Sequence, residues 1–184
     1  MRNRALKQLG VFAVVALFSV PATSSEAGST YAGGQFALLD FDLGFVDFEP
    51  TALVGRVGHF FVDNVAIEGR IGVGISDDSI SAPGARLSVE LENLFGVYLL
   101  GHLPIEGIVS PYGLIGFTSA KAKATFEDDF GRFSESDSES GFTWGLGVDV
   151  RVAQQVSLNA EYVRYLDKSD FDFSAVSLGV NYWF

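Results

Sequence analysis

The chain contains no cysteine and one methionine. Without thiols it can hold no disulfide, no thiolate metal site and no lipid anchor through an N-terminal thioether. Long apolar runs are missing too. After residue 20 no stretch free of polar or charged residues approaches the roughly 20 that a spanning helix needs. Basic residues are scarce, with 12 Lys and Arg against 23 Asp and Glu and a net charge of −11. Such a chain presents no electrostatic footprint for nucleic acid, and that class of partner is excluded. What it does contain is 48% hydrophobic residues and 21 glycines in 184 positions. Apolar content without apolar runs means that the apolar residues are interleaved with others.

Residues 1–27 carry the three parts of a secretory signal. Arg2, Arg4 and Lys7 are the basic start, and Leu9 to Val20 is the apolar core. Ser25-Glu26-Ala27 offers small residues for cleavage, with Val20-Pro21-Ala22 as a second candidate site. A core of about 12 residues is too short to serve as an anchor helix. Residues 28–184 are the expected mature domain, at a net charge of −13 (−11, less three basic groups, plus one acid).

Within that domain the period is two. Val65, Ile67, Gly69, Ile71, Val73 and Ile75 alternate with Ala66, Glu68, Arg70, Gly72 and Gly74. No charge enters the apolar phase, and an Arg on a lipid face at mid-membrane would cost about 2–4 kcal/mol. The charges must therefore point inward. Similar alternation predicts strands at 31–38, 51–60, 86–100, 109–120, 141–151, 156–166 and 171–184. Asn93 interrupts the apolar phase of the fourth, where an irregularity is expected, and the phase of the fifth is not evident. The long connections fall at 40–50, 77–85, 121–140 and 167–172, and the short ones at 62–64, 101–108 and 152–155. Lys121 to Ser140 reads as a mobile, solvated acidic loop.

The last strand is apolar in one phase (Ser174, Val176, Leu178, Val180, Tyr182, Phe184) and small or polar in the other. An uncovered strand this apolar at a chain end invites aggregation in water. Ser177, Gly179, Tyr182 and Phe184 fit a polar-x-Gly-x-x-aromatic-x-Phe ending that resembles the assembly signal of bacterial outer-membrane barrels. Ser110-Pro111-Tyr112-Gly113-Leu114-Ile115-Gly116 and Glu161-Tyr162-Val163-Arg164-Tyr165 are similar to strands of the small OmpA/OmpX-type barrels. Eight strands with alternating long and short connections agree with that resemblance. The expected fold is an eight-stranded antiparallel, up-and-down transmembrane β-barrel, closed because lipid offers unpaired backbone groups no partner.

The resemblance implies a monomeric protein of the Gram-negative outer membrane, in contact with lipid and lipopolysaccharide and inserted by the barrel-assembly machinery. It implies a structural or surface-interaction role, with no enzyme activity and no cofactor or metal. A small porin or conduit for small or hydrophobic solutes is one alternative, and a lipid A-modifying enzyme is another. The inward charges Arg56, Glu68, Arg70, Glu90, Glu92, Asp149, Arg151 and Glu161 form the expected lumenal network, because unpaired buried charges are costly. His59 and His102 fall at strand ends and suit an interfacial position better than catalysis. Trp144, Tyr162, Tyr182, Trp183 and Phe184 suit aromatic girdles at the membrane interfaces.

Overall fold

The computed structural model describes residues 26–42, 47–48, 50–82, 85–105, 107–128, 131–168 and 171–184. Most of the expected signal sequence, together with Pro83 and Gly84 of the expected connection at 77–85, lies outside the described residues. Eight long strands make the wall: β1 (Thr30–Asp42), β2 (Thr51–Val62), β3 (Val65–Ser76), β4 (Ala85–His102), β5 (Val109–Asp128), β6 (Gly131–Ala153), β7 (Val156–Lys168) and β8 (Phe171–Trp183). Each pairs antiparallel with the next in sequence. β8 returns to β1 over a continuous register from Tyr31↔Trp183 to Asp42↔Asp172, so the sheet closes. Closure leaves the wall no hydrogen-bonding edge, which hydrocarbon requires.

Period-two chemistry sets the two faces. On β3, Ile67, Ile71, Val73 and Ile75 are exposed, and Ala66, Glu68 and Arg70 are buried. β8 divides as its pattern predicts, with Val176, Leu178, Val180 and Tyr182 outside and Ala175, Ser177 and Asn181 inside. β5 directs Tyr112, Leu114, Thr118 and Ala120 inward, and Ile115 and Phe117 outward. Asp63 and Asn64 turn β2 into β3, with Asn64 at φ 64°, a left-handed conformation that asparagine tolerates.

The structure corrects the expected loop at 121–140. β5 and β6 stay paired from Val109↔Val150 to Asp128↔Gly131, so this segment is a hairpin. Ser134, Ser136, Ser138 and Ser140 alternate with Glu135, Asp137 and Glu139 at the strand period, and cross-strand contacts such as Ser119–Ser140 at 3.0 Å and Thr125–Ser134 at 3.1 Å link the two sides. A short strand (Asp78–Ala82) likewise pairs with the start of β4, where a polar loop was expected. β3 first meets β4 at Gly72↔Leu94, and β6 leaves β7 at Trp144↔Arg164. Beyond those points β4, β5 and β6 project past the barrel wall as one sheet.

Candidate functional site: a filled lumen beneath a projecting hairpin

Tyrosines facing glycines fill the middle of the barrel. The Tyr31 ring lies where a Gly58 side chain would begin, Tyr98 covers Gly96 and Gly116, and Tyr112 covers Gly147. The rings therefore lie across neighbouring strands and leave little free width. Glycine is required at position 116, where a Cβ would stand 2.2 Å from the Val97 carbonyl oxygen.

Four charges sit among these rings with no side-chain exposure. Arg56 meets Glu68 at 2.5 Å, and Arg70 bridges Glu68 at 2.6 Å and Glu161 at 2.5 Å. A second Arg70 nitrogen reaches Glu161 at 2.8 Å, completing a two-pronged contact. Tyr112 donates to Glu161 at 2.7 Å, and Tyr31 donates to Glu68. Arg70 also packs over the Tyr98 ring at 4.7 Å. Two arginines and two glutamates leave no net charge, and the hydrogen bonds occupy most of their polar atoms. That is the condition under which ions survive burial.

Asp149 and Arg151 lie nearer the short-turn end, apart from this quartet. Asp149 accepts from Asn181 at 2.9 Å and contacts His102 Nε2 at 3.4 Å. Arg151 donates to the Gln154 carbonyl at 2.7 Å and stacks over Trp183 at 4.7 Å. Glu90 and Glu92 do not enter the lumen. They lie on the projecting sheet and pair with Lys123 at 3.1 Å and Lys121 at 2.6 Å, in the reach of solvent. The reason is a register shift between Leu91 and Asn93. One extra residue reverses which face each later side chain occupies. Val89 and Leu91, rather than Glu90 and Glu92, are consequently the buried residues there.

Two aromatic assignments also change. Trp183 points inward and packs on Tyr31 at 4.8 Å and Phe60 at 5.9 Å. His102 is buried between Phe60 at 5.1 Å and Tyr112 at 4.9 Å, facing the lumen. These rings close the short-turn end. His59 stays exposed beside Thr30 at 2.9 Å. Trp144, Tyr162, Tyr182 and Phe184 do face outward. Of the terminal motif, Ser177 is buried, Tyr182 and Phe184 are exposed, and Gly179 makes room for Asn159 and Gln35. At the hairpin end the lumen holds Ala37, Leu39, Ala52, Val54, Leu94 and Phe173, all buried. Thr118 and Thr143 are buried above the ions as well, linked to each other and to the Tyr98 hydroxyl at 2.7 Å, so the barrel is filled by rings at one end, ions in the middle and apolar side chains with a few paired hydroxyls at the other.

The family model for the outer membrane protein beta-barrel domain matches residues 10–184. The chain belongs to that family. This outer-membrane barrel also resembles solved structures at low identity. Ail, the attachment invasion locus protein of Yersinia pestis, in complex with the heparin analogue sucrose octasulfate, aligns at TM-score 0.64 and 20% identity, over 86% of this chain and 99% of that one. Neisserial surface protein A aligns at TM-score 0.61 and 16% identity, over 84% and 98%. OprG of Pseudomonas aeruginosa aligns at 0.58 and 15%, over 87% and 97%. No curated protein matches the sequence. The outer-membrane barrel therefore meets lipid with its exposed belt of Ile67, Ile71, Leu146 and Leu178.

Proposed function

We propose that the protein is a structural and surface-interaction component of the outer membrane, with the barrel as a closed anchor and the hairpin as the part that makes contact. One observation carries this reading: the lumen is packed with side chains along its length, and the sheet of β4, β5 and β6 continues past the wall. In this family short connections face the periplasm and long ones face outside. The turn at 63–64 and the connection at 103–108 then mark the periplasmic end, and the hairpin stands outside.

The hairpin has chemistry suited to contact. Phe126 and Phe133 are paired across the tip and exposed, and Glu127, Glu135 and Asp137 are exposed beside them. Apolar area ringed by acid favours a partner with basic and apolar groups. The heparin analogue bound by Ail is polyanionic, and these acids would repel such a ligand. Lipopolysaccharide surrounds the upper wall, and Ser177, Gly179, Tyr182 and Phe184 act as the signal read by the assembly machinery after removal of residues 1–27. The barrel works as a monomer and catalyses no reaction.

The test joins Ser119 to Ser140 through a two-residue turn and compares the trimmed barrel with the intact one. Both should insert and change gel mobility on heating, and only the intact protein should support binding of cells to protein-coated surfaces. Equal binding by the trimmed barrel would overturn the reading. Altered lipid A on overproduction would favour the enzyme alternative instead.

A further inference from the structure

β6 has an open edge in the hairpin. β5 pairs with it as far as Gly131, while on its other side pairing with β7 starts only at Trp144↔Arg164. Among the described residues no strand pairs with residues 132–143 on that side. Such an edge presents backbone N–H and C=O groups as a template for another strand, and charged side chains are one device that blocks it. Glu135, Asp137 and Glu139 supply that charge on one face. The residues in register with them on β5 are Ala124, Ala122 and Ala120, and beyond these on β4 stand Val89, Leu91 and Leu94. No charged residue therefore stands opposite the three acids on either strand. Lys121 and Lys123 lie on the other face, where they meet Glu92 and Glu90. Asp137 also accepts from the Ser138 N–H at 2.8 Å, which keeps one backbone donor occupied.

The sequence of this edge selects its partner. Residues 134–140 read Ser-Glu-Ser-Asp-Ser-Glu-Ser, the same in both directions about Asp137. Two copies joined antiparallel along this edge are related by a two-fold axis normal to the sheet. That axis keeps the faces, so Ser134 meets Ser140, Glu135 meets Glu139 and Asp137 meets its own twin. One step further the exposed Phe133 falls opposite Gly141, which has no side chain to oppose the ring. Hydroxyl pairs of the same kind already join β5 to β6. The axis also reverses every direction in the sheet, the barrel axis included, because the hairpin continues the wall. The second copy then stands in a facing membrane. Parallel pairing within one membrane needs a two-fold along the strand, which sets equal heights of the two copies out of step with the pleat. We propose that the free edge of β6 pairs with the same edge of a second copy in a facing membrane, and that Glu135, Asp137 and Glu139 hold the two apart until they are neutralised. Like charges directly opposite destabilise a strand pair, so the charged protein stays single. Protonated carboxyl groups gain a donor and can hydrogen-bond across the pair. This pairing rests on the proposed function, in which the hairpin stands outside. Its test uses no cells, so its failure would leave cell binding by the intact hairpin untouched.

The chain has no cysteine, so single cysteines report the register. Heat-modifiable barrels carrying Glu135→Gln and Glu139→Gln are placed one per phosphatidylcholine nanodisc at pH 7 and mildly oxidised. Asp137→Cys should cross-link to itself and join discs in pairs, because directly opposite residues lie within disulfide reach. Ser134→Cys should not cross-link alone, since its twin lies about 20 Å away along the strand. Mixed with discs carrying Ser140→Cys, it should. Restoring Glu135 and Glu139 beside Asp137→Cys should lower the yield about tenfold. Sedimentation of the wild-type barrel should show single discs at pH 7 and pairs at pH 4. No cross-link at position 137 in the neutralised background would overturn the proposal. Equal self-cross-linking at 134 and 137, the mark of unspecific aggregation, would do the same, as would wild-type discs that stay single at pH 4.

Discussion

Arg70 meets Glu68 at 2.6 Å inside the barrel, and Lys121 meets Glu92 at 2.6 Å on the projecting sheet. Equal distances have unequal consequences. The first pair has no exposed side-chain surface, and the second keeps 41% and 29% of its side-chain surfaces in solvent. Inside, with no exposed side-chain surface, each ion depends on the other for its partner. Outside, water and salt screen the attraction, and ordering two long side chains offsets much of the gain. The lumen is therefore where charge determines stability, and the hairpin is where charge is available to a partner.

Arg70→Leu should have the largest effect, because it strands Glu68 and Glu161 in the interior. A loss of about 3–5 kcal/mol is expected, read as the denaturant midpoint of the barrel in micelles. Gly116→Ala comes next. The added carbon meets backbone at 2.2 Å, so strands must move, at about 1–3 kcal/mol for an overpacked interior. Replacing the whole quartet with Arg56→Met, Glu68→Leu, Arg70→Met and Glu161→Leu should cost less than Arg70→Leu alone, because no charge is left unpaired. The same midpoint measurement decides this.

Glu92→Gln should leave the midpoint unchanged within experimental scatter. The hydrogen bond from Lys121, with its charge and a further bond from Ser136, holds the Glu92 carboxyl below the usual carboxylate range. A depressed carboxylate contributes stability above its unfolded value and loses it as pH falls through the lowered one. The contribution is therefore fully present at neutral pH. Solvent screening makes its acid loss small, and midpoints at pH 7 and pH 5 should coincide for wild type and Glu92→Gln alike.

Strand number, closure and the two faces were legible because a period of two is a local property. Val65 to Ile75 and Ser174 to Phe184 carried most of that information. Arg56, Glu68, Arg70 and Glu161 could be placed inside for the same reason, although their mutual contacts could not. Which charges meet depends on register between strands, as in the pairing of Arg56 with Arg70 and of Glu161 with Ser177. Glu90 and Glu92 were misplaced because one extra residue near Asn93 reverses the face, and alternation alone does not say on which side of the irregularity the phase holds. The hairpin at 121–140 was missed because serine and acid resemble a loop in composition. The alternation of Ser134, Ser136, Ser138 and Ser140 with Glu135, Asp137 and Glu139 was the available signal. Trp183 was assigned to a girdle by residue type, although its phase already placed it inside.

The central claim is that side chains occlude the lumen and that the protein acts at its outer surface. Current through the purified barrel in a planar lipid bilayer measures that occlusion most directly. The account predicts a flat baseline at all moderate voltages, both for the wild type and for the barrel trimmed of its hairpin. Reproducible conductance steps from the folded, heat-modifiable monomer would contradict it and favour a solute conduit.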